Sequence, residues 1–121
     1  MNKQDNELKR REVVNQIRYS NRVGNMFNVF RSYMSENKKH IKLKFELWLK
    51  LREAGYDVIC EPIFASGIRM DLLAFKDGFW INYEILCSET EKQLNEKIKK
   101  YPNIPVIPIE SMEDIDKIEL D

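Results

Sequence analysis

Histidine, glycine and cysteine are scarce in this chain of 121 residues, and each shortage excludes a class of chemistry. His40 is the single histidine, which argues against a histidine-ligated zinc site, a Ser-His-Asp triad or a Cys-His pair. The four glycines are isolated from one another, so the chain has no glycine-rich phosphate loop. Any metal would therefore be bound by oxygen atoms, which suits magnesium or manganese.

Long apolar runs and a framework of cysteines are also missing. No apolar run approaches the roughly 18 residues of a membrane span, and residues 1–12 are charged, unlike a signal peptide. The two cysteines, Cys60 and Cys87, lie in apolar runs typical of buried free thiols. The length and an apolar content of 43% suit one globular domain. We expect a soluble, intracellular protein of the cytoplasm that does not enter a membrane.

The formal net charge is zero, but the two halves of the chain differ strongly. Residues 1–50 contain 12 Lys or Arg and 5 Asp or Glu, a net charge of +7, and residues 51–121 contain 8 and 15, a net charge of −7. The basic half is compatible with phosphate binding. Mutual attraction of the halves, or a head-to-tail dimer, explains the same asymmetry equally well.

Residues 1–35 are predicted to form a basic N-terminal helical segment. The apolar positions favour a short helix from Glu7 to Tyr19 and a second helix that carries a stripe of Val23, Phe27, Phe30 and Met34 at spacings of three and four. The aromatic side chains favour a packing surface over a platform for stacked bases. The stripe could also supply the interface of a homodimer.

Residues 36–121 are predicted to form an α/β core. A helix over 37–54 is followed by strands over 56–64, 67–75 and 79–87, with a turn at 76–78 between the last two. Ser88 and Glu91 predict the capped start of a helix that runs to Lys100. A buried strand over 104–109 and a short helix capped by Ser111 complete the order. A meander with a helical crossover into a fourth strand is an α/β sandwich.

Two acidic residues are placed on neighbouring strands by this order. Asp71 lies in the second strand and Glu84 in the third, and the hairpin turn brings them side by side. Paired carboxylates can hold a divalent cation. Glu84 lies in a strongly apolar strand, where a lone buried carboxylate is costly and requires a partner or a metal.

The helix–three strands–helix–strand order with these two acids resembles the PD-(D/E)XK nuclease superfamily, whose restriction-endonuclease-like fold includes archaeal Holliday-junction resolvases and viral nucleases. The resemblance covers about residues 37–109. Glu46 lies on the leading helix, where many members place a supporting glutamate. The motif proline before Asp71 is missing, and the position of the motif lysine, two residues after Glu84, is Leu86.

The resemblance implies metal-dependent phosphodiester cleavage, with Asp71 and Glu84 as ligands of Mg²⁺ or Mn²⁺ and Glu46 as a supporting acid. Arg69, two residues before Asp71, is the expected substitute for the missing lysine and would act as a charge clamp, because arginine cannot serve as a base. The expected partner is nucleic acid, with DNA favoured. Its phosphates would contact basic residues of the leading helix, namely Lys38, Lys39, Lys42 and Lys50.

Two alternatives remain open at this point. Leu86 and the missing proline favour a nuclease-like fold that has lost cleavage and binds nucleic acid or a protein partner. An unrelated small α/β interaction protein with incidental acidic residues is the other reading, and it predicts no affinity for nucleic acid.

Overall fold

The protein is a mixed α/β structure built on one open four-stranded sheet. The computed structural model describes residues 2–18, 26–32, 36–87 and 90–120. Its elements, in chain order, are helices α1 (Lys3–Val14) and α2 (Lys38–Glu53), strands β1 (Asp57–Cys60), β2 (Leu72–Lys76) and β3 (Phe79–Ile85), helix α3 (Glu91–Ile98), strand β4 (Val106–Ile109) and helix α4 (Met112–Asp116). The predicted order from residue 37 onward is therefore present.

The sheet has the strand order β1-β2-β3-β4. β1 pairs with β2 and β2 with β3 in antiparallel fashion, whereas β4 lies parallel to β3 after the crossover through α3. Asp77 and Gly78 both have positive φ angles, of 49° and 85°. These two residues form the tight hairpin turn that sets the register of β2 against β3.

Each face of the sheet is covered by a different helix. Alternate side chains of β2 point to opposite faces, so Leu72 and Ala74 pack in the cluster with α2, and Leu73 and Phe75 pack in the cluster that includes Val13 of α1. The indole nitrogen of Trp80 donates a hydrogen bond to the Lys9 carbonyl at 2.9 Å. The N-terminal segment thus contributes Val13 and Ile17 to one of the two cores.

The second helix predicted in the N-terminal segment is wrong over the described residues 26–32. Phe27 forms a β-bridge with Ile59, and Asn28 adopts a left-handed φ of 64°. The side-chain oxygen of Asn28 accepts the Val58 N–H at 2.8 Å, and the backbone N–H of Asn28 donates to the Val58 carbonyl at 2.6 Å. These bonds to the edge of β1 replace the hydrogen bonds of a helix. Val23 and Met34 lie outside the described residues.

The aromatic side chains of this segment pack within the chain. The Phe30 ring lies edge-on to Phe45 and Trp48, at centroid distances of 5.0 and 5.8 Å. The Arg10 guanidinium lies 4.1 Å from the centroid of the Phe27 ring. Phe27 and Phe30 are half-buried, so the two aromatic residues of the predicted stripe that the structure describes pack within the chain. A homodimer stays a prediction.

Several predicted boundaries shift. The first helix begins at Lys3 and ends at Val14, rather than running from Glu7 to Tyr19. The cap of α3 is Thr90, whose hydroxyl oxygen accepts the Gln93 N–H. The side-chain oxygen of Gln93 in turn accepts the Thr90 N–H, which completes a capping box. The predicted cap Ser88 lies outside the described residues. Asn37 and Ser111 cap α2 and α4.

β4 is less buried than predicted. It forms an edge of the sheet, where Ile107 is 36% exposed and Pro108 is exposed, while Ile109 is buried in the core. Proline is tolerated there because an edge strand does not need every N–H for pairing. In the part of the chain that the structure describes, no helix combines the length and the apolar character needed to cross a membrane.

Candidate functional site

An open cleft of about 950 Å³ lies where the end of β3 and the loop before β2 meet the start of α2 and the end of α3. Its walls contain acidic and basic groups together with Tyr101 and several apolar residues. The acids are Glu36, Glu61, Asp71 and Glu84, and the basic side chains are Arg18, His40, Arg69, Lys97 and Lys100. Four acidic and five basic side chains therefore line the same cleft.

Asp71 and Glu84, the predicted pair, both line this cleft. Asp71 lies one residue before β2, and its Oδ2 accepts the Ile85 N–H at 2.7 Å. Glu84 is 2% exposed, and its Oε1 accepts bonds from Asn82 Nδ2 at 3.0 Å and the Tyr101 hydroxyl at 2.9 Å. The hairpin register therefore juxtaposes the two acids as the sequence predicts.

The two acids of this pair differ in protonation. Burial and the neighbouring Asp71 charge raise the pKa of Glu84 to about 8. Burial also disfavours the charge of Asp71, but hydrogen bonds from His40 and the Ile85 N–H outweigh it, so the pKa of Asp71 is lowered. Near neutral pH these shifts favour a protonated Glu84 carboxyl beside an ionised Asp71.

His40 bridges two carboxylates of the cleft. Its Nδ1 lies 2.6 Å from Glu36 Oε2, and its Nε2 lies 3.5 Å from Asp71 Oδ1. The hydrogen bond to Asp71 is the main cause that raises the pKa of His40 to about 9, against the opposing effect of burial. The single histidine of the chain thus contacts two of the four acids that line the cleft.

Lys44 joins the other two acids. Its ammonium Nζ donates to Glu36 Oε1 at 2.8 Å and to Glu61 Oε1 at 2.9 Å, and the side chain is fully buried. Glu61 follows β1 in a left-handed conformation with φ of 52°, and its N–H donates to the Asp71 carbonyl at 2.8 Å. A non-glycine residue in this region costs of order 1 kcal/mol and is typical of functional sites.

Sequence reasoning missed Glu36, His40, Lys44, Glu61 and Tyr101. A signal existed for the two residues on α2, because His40 and Lys44 lie on the same helical stripe as Leu47 and Leu51, which face the sheet. No sequence signal marks Glu36 or Glu61. Glu36 precedes the helix, and Glu61 depends on the irregular end of β1.

Several predicted residues lie elsewhere. Glu46 is half-buried on α2 and does not line the cleft, since it is two positions away from Lys44 and so points to another side of the helix. Lys38, Lys39 and Lys42 are exposed on α2, again outside the lining residues. Lys50 donates to the Ile115 carbonyl at 2.7 Å, at the end of α4.

Arg69, the expected substitute for the missing lysine, lines the cleft. Its side chain is 51% exposed, and Nη1 forms an ion pair with Glu61 Oε2 at 3.7 Å. Arg18, Lys97 and Lys100 are the other exposed cations that line it. Leu86, at the position of the missing lysine, is 4% exposed and buried in the protein.

Two sets of residues could hold a metal ion. The partly exposed Asp71 and the buried Glu84 offer carboxylate oxygens, and the Oδ1 of Asn82 is buried without a hydrogen-bond partner among the described residues. Glu36, His40 and Glu61 offer one ligand atom each, all within 4.8 Å of one another. Oxygen-only donors suit Mg²⁺ or Mn²⁺, so the first pair fits the predicted cation. Lys44 already occupies the second set.

No family model matches this chain, and neither a curated protein nor a solved structure matches it. The function must therefore be inferred from the chemistry of the cleft.

Proposed function

We propose that this protein acts on nucleic acid through the acidic cleft, by metal-dependent phosphodiester cleavage in the manner of the PD-(D/E)XK nucleases. One observation carries the proposal: the partly exposed Asp71 and the buried Glu84 line an open cleft together with Arg18, Arg69, Lys97 and Lys100. Carboxylates that can hold a divalent cation, with exposed positive charge around them, suit a polyanionic substrate.

Asp71 and Glu84 would hold Mg²⁺ or Mn²⁺ through their carboxylate oxygens. When bound, such an ion lowers the pKa of a water molecule and neutralises charge on the phosphate. The protein orients both ligands beforehand, because the Ile85 N–H fixes Asp71 and the Tyr101 hydroxyl fixes Glu84. Glu84 must release its proton for this role, so a cation and a proton compete for the same carboxylate.

The exposed cations that line the cleft would contact the phosphates of the nucleic acid. Lys97 and Lys100 are exposed at the end of α3, and Arg69 reaches the cleft from the loop before β2. Arg69 is the cation nearest the acids by sequence and is paired with Glu61 at 3.7 Å, which positions its guanidinium beside the acids of the cleft. A guanidinium clamps a phosphate through a planar fork of donors, so Arg69 remains our candidate for the charge that the missing lysine would supply.

A second function is favoured by a specific observation. Leu86 is buried and apolar at the motif lysine position, and His40 and Lys44 already pair with acids of the cleft. A cleft that is largely neutralised by its own side chains suits a protein that binds nucleic acid without cutting it. Binding to a protein partner is the remaining form of this alternative.

Cleavage of labelled nucleic acids distinguishes these functions. The panel is a single strand, a duplex, a flap and a four-way junction, each incubated with Mg²⁺ or Mn²⁺ and with wild type, Asp71→Asn or Glu84→Gln. Lys42→Met, an exposed change on α2, is the matched control. Metal-dependent cutting that is lost in both acid variants supports the nuclease. Salt-sensitive binding without cutting supports the second function, and the absence of both contradicts a role on nucleic acid and leaves only binding to a protein partner.

A further inference from the structure

Lys44 is an ammonium group enclosed between two carboxylates. It is fully buried, with bonds of 2.8 Å to Glu36 and 2.9 Å to Glu61, and the Phe30 ring centroid lies 5.5 Å from its Nζ. Burial opposes the charge of Lys44, but the hydrogen bonds to the two glutamates outweigh it and raise the pKa of Lys44. Burial raises the pKa of Glu61 while Lys44 opposes that rise. The short bonds to one buried ammonium favour the ionised form.

The ammonium of Lys44 bonds two of the three groups that could hold a metal ion. Glu36, His40 and Glu61 place one ligand atom each within 4.8 Å of one another, a spread that an ion of ordinary coordination distance could bridge after a small adjustment. Lys44 is also tethered to α2, so its charge cannot be lost by dilution or chelation.

We propose that Lys44 is a built-in counter-ion that takes the place of a second metal ion, so that the cleft binds a single divalent cation, at Asp71 and Glu84. The inference rests on the proposed function for the site of that one cation. Lys44 acts as a positioning residue: it fixes Glu36, and Glu36 in turn contacts His40 Nδ1 at 2.6 Å.

The Lys44 ammonium excludes a metal ion from this site because it already bonds both glutamates, at 2.8 and 2.9 Å. Breaking these bonds would leave the buried Glu61 and the largely buried Glu36 without their cation, which is strongly unfavourable. A divalent ion added to the protein therefore does not enter between Glu36 and Glu61 while Lys44 is in place.

The test is the number of Mn²⁺ ions bound per folded chain, measured by calorimetry with MnCl₂ and no nucleic acid. Wild type is expected to bind one ion, and the exposed-site control Lys42→Met also binds one. Lys44→Met, which keeps an unbranched side chain one atom shorter and removes its charge, is expected to bind two. Adding Glu61→Gln to Lys44→Met returns the count to one, because the new site loses a ligand.

Each count either supports or overturns the inference. Two ions in wild type, or a folded Lys44→Met variant that gains none, overturns it. No ion in wild type, with one gained in Lys44→Met and lost with Glu61→Gln, supports the role of Lys44 and overturns the metal site of the proposed function. If Lys44→Met does not fold, Glu61→Gln alone decides: one retained ion supports the inference, and its loss overturns it.

Discussion

Two pairs of carboxylates lie in one cleft and are stabilised in different ways. Glu36 and Glu61 share the ammonium of Lys44, at 2.8 and 2.9 Å. Asp71 instead accepts the Ile85 N–H at 2.7 Å and lies 3.5 Å from His40, while burial raises the pKa of Glu84 to about 8. A fixed cation makes the first pair a structural element. A removable proton leaves the second pair available for a metal ion.

The largest effect is expected when Lys44 is removed from the first pair, and it is a loss in the free energy of unfolding. Lys44→Met leaves Glu36 and Glu61 buried without their cation, and removal of one partner from a buried ion pair costs about 3–5 kcal/mol. Urea unfolding at pH 7 measures the change. Lys42→Met, on the exposed side of the same helix, is expected to change the free energy of unfolding by less than about 0.5 kcal/mol. A loss from Lys44→Met below about 1 kcal/mol, the range of exposed ion pairs, contradicts this account.

Removing a ligand from the second pair should abolish metal binding with little loss of stability. Glu84→Gln keeps the shape of the side chain and the bond from Tyr101, but it cannot supply a charged ligand. We expect Mn²⁺ affinity to fall by more than about 100-fold, beyond the 10–100-fold typical of residues that only support a ligand. Calorimetry of Glu84→Gln beside Glu46→Gln, a glutamate outside the cleft lining, makes the comparison. Equal affinity in the two variants refutes the site.

The proton on Glu84 and the charge of His40 predict a dependence of stability on pH. Their folded-state pKa values, about 8 and about 9, exceed the ordinary values of 4.5 and 6.5. Between pH 6.5 and 8 the folded protein therefore binds more protons than the unfolded chain, and stability falls as pH rises. Each group contributes a slope of up to about 1.4 kcal/mol per pH unit.

Unfolding free energies at pH 6.5, 7.25 and 8 measure this dependence in the absence of metal. Glu84→Gln should remove one of the two contributions and leave a shallower decline. A flat profile in wild type, or an unchanged slope in the variant, would show that the acid pair does not hold the proton assigned to it.

The smallest expected effects are those of the surface lysines. Lys97 and Lys100 line the cleft, whereas Lys38 and Lys39 do not. Lys97→Gln with Lys100→Gln should weaken nucleic-acid binding and lower the slope of log affinity against log salt by about 1 for each lost phosphate contact. Lys38→Gln with Lys39→Gln should leave both quantities nearly unchanged. Binding titrations from 50 to 200 mM salt compare the pairs, and the reverse ranking would favour the contacts predicted from sequence.

The sequence predicts the order of the elements because each element has a local signal. The apolar stripe of α2, the Asp77-Gly78 turn and the Ser111 cap each indicate one element without help from the rest of the chain. The segment around Phe27 has helical spacing but is not helical where the structure describes it. Its preference is overridden by the bonds that Asn28 makes to Val58, a tertiary effect that spacing does not reveal.

The candidate site could be predicted only in part, for a related reason. Asp71 and Glu84 were found because a hairpin joins them, so their proximity is a local property of the chain. Glu36 and Glu61 meet through a lysine that lies between them in sequence and packs against β1 in space. Lys42 and Lys50 have the same charge as Lys44, and only the helical phase relative to the sheet distinguishes the three.

The most direct test of the central claim is the position of a metal ion in crystals soaked with MnCl₂, located by anomalous scattering. We predict one strong anomalous peak within coordination distance of the Asp71 and Glu84 carboxylates. Lys44 should still bond Glu36 and Glu61. A peak among Glu36, His40 and Glu61 with Lys44 displaced, or no peak in the cleft, would contradict the assignment of the two pairs.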